Sequence, residues 1–146
     1  MNEDIFHLGV KALIKNSAGE LLLLQVNPAE LRGHQGEPYW DIPGGRIHRG
    51  DSVEATLRRE VTEETGLAVR AMHPFSMVLS PLRIPLKDAS DVGLILSAYL
   101  CDVEEPVEIR LSTEHINAKW FPPQEAAQLL KVKYPVEFTE KISQRS

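Results

Sequence analysis

Glu60, Glu63 and Glu64 stand at i, i+3 and i+4 within one stretch of the chain. On a helix that spacing gives them neighbouring positions. Such a trio is either a solvated acidic face or a functional cluster, and the helical phase separates the two. Val53, Leu57 and Val61 recur every four residues and mark the stripe that must be buried. At about 100° per residue, Glu60 and Glu64 fall within about 20° of Val53, one to either side. Arg58, Thr62 and Ala55 take the opposite face. Two carboxylates turned toward the body of a protein repel each other and lose hydration, which is costly without a cation. Arg59 can pair with one of them. A hard divalent cation can serve both, and Mg²⁺ binds in this way, through one or two carboxylates plus substrate phosphate.

These side chains need a rigid helix and a close turn to hold them. Residues 52–65 are predicted helical, with Asp51 as N-cap, Glu54 three residues on as in a capping box, and Gly66 at the C-terminal stop. Before the helix, Gly44-Gly45 lets the backbone approach a ligand closely, or simply turns the chain. Further upstream, residues 8–14 and 21–26 read as strands joined by a polar turn at 17–20, an expected hairpin. The second is an unbroken apolar run of the kind buried on both faces. Residues 27–38, with Pro28, Gly33, Gly36 and Pro38, read as a loop, and 39–42 as a short strand. Downstream, 67–79 and 93–103 are predicted strands separated by a loop at 80–91. Residues 119–121 form a short strand, 124–130 a helix begun by Pro122-Pro123, and 135–144 a last helix. The order predicts a mixed sheet with helices packed on it.

The chain has 146 residues, enough for one domain around one core, and carries a net charge of -5. That acidic balance argues against nucleic-acid binding, yet it suits a small phosphorylated ligand bridged to the protein by a cation. Cys101 is the single cysteine, so neither an internal disulfide nor a cysteine-rich zinc site can form. Its apolar surroundings predict a buried, structural thiol. Glu3 and Asp4 disfavour a signal peptide, and apolar runs such as residues 21–24 are too short to span a membrane. The expected compartment is a reducing cytoplasm.

Residues 45–67 read GRIHRGDSVEATLRREVTEETGL. This resembles the Nudix box: a glycine, five residues, a glutamate, seven residues, then Arg-Glu-apolar-x-Glu-Glu-x-Gly-apolar. Here Gly45, Asp51 and the run from Arg59 to Leu67 occupy those positions, and only Asp51 departs, standing where the family has glutamate. The lead-in Trp40-Asp41-Ile42-Pro43-Gly44-Gly45 looks like the family's, and Glu114-His115, Trp120-Phe121 and Glu125-Ala126-Ala127 resemble the end of its domain.

The resemblance implies an α/β/α sandwich with a central mixed sheet, as one Nudix hydrolase domain over residues 1–146. It implies a Mg²⁺- or Mn²⁺-dependent hydrolase that cuts the diphosphate linkage of a small nucleotide-like substrate. Carried over, Glu60 and Glu64 would be the main metal ligands, with Glu63 and the Gly44 carbonyl as further ones. Arg59 would orient a box glutamate by ion pairing, and Asp51 would take a supporting part. Glu60, Glu63 and Glu114 are the candidates for the base that activates water, and His115 could also titrate near neutrality. Trp40 or Tyr39 could stack on a base, or Trp40 could fill the core. Arg46 and Arg49 could meet phosphate, as could Arg83 and Lys87, and the loops at 27–37 and 80–91 are expected to set substrate choice. Among substrates, a nucleoside triphosphate, a sugar nucleotide, a dinucleoside polyphosphate and a pterin triphosphate stay open, with a (deoxy)nucleoside triphosphate favoured. Relatives are commonly homodimers. The competing readings are a non-catalytic nucleotide-binding module, which would usually lose box carboxylates, a diphosphate isomerase, which would need an accessible reactive cysteine, and an RNA-end hydrolase, which would favour a basic groove.

Overall fold

The computed structural model describes residues 2–27 and 37–144. Pro28, Gly33, Gly36 and most of the loop expected to set substrate choice lie outside the described residues.

Two apolar strands near the N-terminus organise the molecule. Strands β1 (Phe6–Ile14) and β2 (Leu21–Val26) are buried on both faces, as the unbroken run in β2 predicts. They do not form the expected hairpin. The bridge Lys15–Leu21 and the hydrogen bond from the Asn16 N–H to the Glu20 carbonyl close their connecting turn, but the strands part into different sheets. With both faces apolar, each strand needs partners along its edges and helices above and below. The turn between them does not dictate which partners those are.

The other strands are β3 (Tyr39–Asp41), β4 (Gly44–Arg46), β5 (Val69–Leu79), β6 (Ile84–Pro85), β7 (Asp91–Val103) and β8 (His115–Phe121). Among the described residues, one sheet has the order β4-β1-β7-β5, with β6 also on β7. β1 runs parallel to β7, and the remaining pairs are antiparallel. The second sheet, β3-β2-β8, is antiparallel throughout. The loop predicted at 80–91 thus contains a short strand, and β8 begins four residues earlier than the sequence suggests.

The helices are α1 (Val53–Thr65), α2 (Pro123–Leu129) and α3 (Val136–Ser143), with a 3-10 turn at Leu130–Val132. Strand alternation divides the core between them. Val10, Ala12 and Ile14 of β1 and Leu22 and Leu24 of β2 pack with Leu57 and Val61 of α1. Leu13, Leu21 and Leu23 pack with Ala126, Leu130, Tyr134, Phe138 and Ile142 on the other side. Each such fully buried aliphatic side chain contributes about 1.5–3 kcal/mol. The result is the α/β/α sandwich with a mixed sheet that the resemblance to the Nudix box implies. Among the described residues, no helix is long and apolar enough to cross a membrane.

Candidate active site

Helix α1 starts one residue later than predicted, and its cap is not Asp51. The Ser52 hydroxyl accepts from the Ala55 N–H at 3.0 Å, and Ser52 has the extended backbone of an N-cap. Both residues are good caps by type, and register alone decides between them. Asp51 is thereby free to accept from Arg59 at 2.9 Å. Nor does Glu54 close a capping box, since it pairs with Arg58 along the exposed face at 3.0 Å. At the far end Gly66 adopts φ 77° and its N–H reaches the Thr62 carbonyl, as predicted for a glycine stop.

The helical phase places the acids as expected. Glu64 is buried, Glu60 is half-buried, and Glu63 is exposed. Leu57 and Val61 anchor the inward stripe with no exposure at all. The Glu64 carboxylate accepts from the Gly44 N–H at 2.8 Å, so the helix and the glycine turn meet at this hydrogen bond. The next glycine explains itself by contact. A Cβ on Gly45 would stand 2.5 Å from the Glu60 carboxyl carbon, so with any larger residue there the acid would have to move. Arg59 sits among three carboxylates. It bonds Asp51, approaches Glu60 at 3.6 Å and Glu63 at 4.0 Å, and its buried Nη2 has no hydrogen bond among the described residues.

From the opposite sheet, the start of β8 brings Glu114 and His115. The ligand atoms of Glu64, Glu114 and His115 lie within 4.8 Å of one another. His115 Nε2 is 3.9 Å from Glu64 Oε2. Burial, with Lys11 nearby, lowers the His115 imidazole to about 4, so it stands beside Glu64 as a neutral ring at pH 7 rather than as an ion-pair partner. Burial raises the Glu64 carboxyl to about 7, and Lys11 and the Gly44 N–H only partly offset it. Glu60 is raised as well, first by burial and then by the like charges of Glu63 and Glu114. The cluster is therefore short of positive charge. Its donors are carboxylate oxygens with one neutral imidazole, a set suited to a hard divalent cation.

Other predicted residues fall elsewhere. Trp40 is half-buried and meets Phe121 edge to face at 5.0 Å against the core, which occupies much of its ring. Arg46 is exposed and contacts His7 Nδ1 at 2.9 Å. The guanidinium of Arg83 is held by Asp4 and Asp91. Cys101 is buried, and burial pushes its thiol up to about 12, which removes the reactive cysteine that an isomerase would need.

Sequence reasoning missed a charged group behind the site. Lys11, Asp41, Lys133 and Tyr134 meet in the interior, with Asp41 at the centre. One signal was present, because Lys11 stands inside the apolar run of β1, and a lysine there requires a partner.

Residues 5–142 match the model of the NUDIX domain family. The chain is 30% identical to the asymmetrical bis(5'-nucleosyl)-tetraphosphatase of Mus musculus, over 88% of this chain and 82% of that protein. It is 28% identical to Nudix hydrolase 5 of Arabidopsis thaliana, of whose length it spans only 37%. A solved structure of a MutT protein from Methanosarcina mazei superposes with a TM-score of 0.66 at 26% identity, covering 99% of this chain and 95% of that one. The glycine turn and the three box glutamates thus sit within a match that runs nearly the whole length, and the chain belongs to the NUDIX family as an enzyme of the Nudix hydrolase class.

Proposed function

We propose that this chain is a Mg²⁺- or Mn²⁺-dependent hydrolase that cuts a diphosphate linkage in a nucleoside polyphosphate. The observation that carries this reading is the hydrogen bond from Gly44 N–H to a buried Glu64, beside Glu60, Glu114 and a neutral His115. Glu60 and Glu64 would hold the ion, with Glu63 and the Gly44 carbonyl as further ligands. When bound, such an ion screens the diphosphate oxygens and lowers the pKa of the attacking water. Glu114 would take the proton from the attacking water. It is favoured over Glu60 and Glu63 because Arg59 stands next to both of those, whereas Glu114 faces the cluster from the other sheet. Arg46, exposed beside the glycine turn, meets substrate phosphate.

On substrate, the mouse relative named for a dinucleoside tetraphosphate matches along most of both chains. That favours a dinucleoside polyphosphate over the (deoxy)nucleoside triphosphate expected from the sequence. Retention of all three box glutamates argues against a non-catalytic module.

The test is a panel of dinucleoside polyphosphates, nucleoside triphosphates and sugar nucleotides, with Mg²⁺, with Mn²⁺ and with EDTA, read by chromatography. Cleavage of a dinucleoside polyphosphate is expected, and EDTA or Glu64→Gln should abolish it. Glu114→Gln should lower kcat by about 10²-fold or more while metal still binds. If nucleotides raise the melting temperature but none is cut with either metal, the binding-module reading replaces this one.

A further inference from the structure

Asp41 accepts four hydrogen bonds from three separate parts of the chain. Its Oδ1 takes the Ile42 N–H at 2.7 Å and the Tyr134 hydroxyl at 2.6 Å. Its Oδ2 takes Lys11 Nζ at 3.2 Å and Lys133 Nζ at 2.8 Å. Asp41, Lys11 and Tyr134 are each at most 6% exposed. Buried ionic groups of this kind are seldom the most stable filling for a core, since apolar residues of similar volume serve as well or better. A reason for their presence has to come from what they hold in place.

They hold the glycine turn. Asp41 is followed directly by Ile42-Pro43-Gly44. Lys11, on β1, is the register partner of Gly44, and the neighbouring Ala12 N–H donates to the Pro43 carbonyl at 2.8 Å. The fit is close, because a Cβ on Gly44 would lie 2.1 Å from the Val10 carbonyl oxygen and 2.9 Å from Lys11 Cα. Gly44 in turn donates to Glu64. The far end of the network is fixed as well. Ser80 bonds the Lys133 carbonyl at 2.6 Å, and the Tyr134 ring stacks on Phe138 of α3 at 4.6 Å. Lys11 also acts on Glu64 in the sense that favours its ionised form.

We propose that Lys11, Asp41, Lys133 and Tyr134 are positioning residues for the active site: they lock the Asp41–Gly44 turn so that the Gly44 N–H aims Glu64 at the metal. Through them the chain after α2 becomes part of the support of the site, although it contributes no metal ligand. The inference rests on the metal-dependent reading above for its consequence, but not for its geometry.

Two variants test it. Tyr134→Phe removes a single hydroxyl, and Lys133→Met removes the least buried of the two ammonium groups. Ile142→Val, in the same core but with no hydrogen bond to the four residues among those described, is the control for stability. Three quantities are read on the intact chain: the melting temperature, the Gly44 amide resonance and its hydrogen exchange by NMR, and Mn²⁺ affinity by paramagnetic resonance. In the network variants the Gly44 amide is expected to shift and to exchange faster, and Mn²⁺ affinity to fall by about tenfold. Ile142→Val should lower the melting temperature while leaving both other quantities alone. If the network variants melt lower but keep the wild-type Gly44 resonance, or keep wild-type Mn²⁺ affinity, the network is structural only and the proposal is overturned. If the wild-type chain binds no Mn²⁺ while the Gly44 amide still responds, the hydrolase reading fails and the geometric link stands. Should the Lys133→Met chain not fold, Tyr134→Phe alone makes the same comparison.

Discussion

Replacing Gly45 by alanine adds one methyl group at the point where the turn faces the box helix. The new Cβ would lie 2.5 Å from the Glu60 carboxyl carbon and 2.8 Å from each of its oxygens, whereas ordinary contact begins at 3.4 Å. The carboxyl group must therefore retreat by about 0.9 Å, a displacement of the size that costs about 10²-fold in rate when it moves a catalytic group. That factor corresponds to about 2.7 kcal/mol of lost transition-state stabilisation. The cost to folding is much smaller. Gly45 is not in the left-handed region, and the group that must give way is the free end of a half-buried side chain. An off-rotamer adjustment of this kind costs about 0.5–1.5 kcal/mol. The assay is kcat and KM on the preferred substrate at saturating Mn²⁺, alongside a thermal melt. A folded Gly45→Ala chain with kcat near 1% of wild type and a nearly unchanged melt is expected. Gly44→Ala gives the contrast, since its Cβ would strike backbone atoms of Val10 and Lys11 at φ 152°, and it should fail to fold normally. A Gly45→Ala enzyme within about threefold of wild type in kcat would refute the reasoning, because the reaction would then not need Glu60 where the structure holds it.

Glu64 gives a pH dependence of folding in the metal-free protein. Its folded value near 7 lies above the ordinary 4.5, so its contribution is fully present below about 4.5 and is lost as pH rises through 7. Melts in EDTA from about pH 5 to about pH 8 should therefore fall more steeply for wild type than for Glu64→Gln, and parallel curves would contradict the assignment. His115, lowered to about 4 by burial, should show no ring-proton inflection near 6.5 in an NMR titration, and an inflection there would mean that it is more exposed than the structure has it. Ser52→Ala should cost about 1 kcal/mol of stability while leaving turnover unchanged, and loss of activity with an unchanged melt would remove Ser52 from the cap.

The parts of this site that could be read from the sequence are those set by local geometry. A four-residue apolar repeat fixes which way Glu60 and Glu64 point, although of that phase Glu64 is buried while Val53 and Glu60 are only half-buried. The glycine pair was legible as a turn, although its reason, room for Glu60 and a donor for Glu64, requires the packed structure. The hairpin expectation failed for β1 and β2 because strands buried on both faces carry no alternation to name their neighbours, and sheet membership is decided by residues as distant as β7 and β8. The cap missed by one residue because Asp51 and Ser52 are equivalent by type. The Asp41 network was hidden for a different reason. Its partners come from β1, β3 and the turn after α2, and no local periodicity links such residues. Only the oddity of Lys11 in an apolar strand pointed to it.

Asp51, the one departure from the family pattern, can be understood from the competition for Arg59. Three acids surround that guanidinium, but only Asp51 is within hydrogen-bond distance, at 2.9 Å, against 3.6 Å for Glu60 and 4.0 Å for Glu63. On the metal-dependent reading proposed above, Asp51 would hold Arg59 so that its ion pair with Glu60 stays at 3.6 Å rather than closing, and Glu60 would remain available to an ion. Asp51→Asn should then let Arg59 close on Glu60 and weaken Mn²⁺ binding several-fold, up to about tenfold. Helix stability should change little, because Ser52 and not Asp51 caps the helix. Mn²⁺ titrations and melts of Asp51→Asn and Ser52→Ala together decide it. Weaker metal binding in the first and a lower melt in the second would give each residue a separate task. If instead Asp51→Asn lowers the melting temperature and binds Mn²⁺ as wild type does, then Asp51 supports the helix and Arg59 does not govern Glu60.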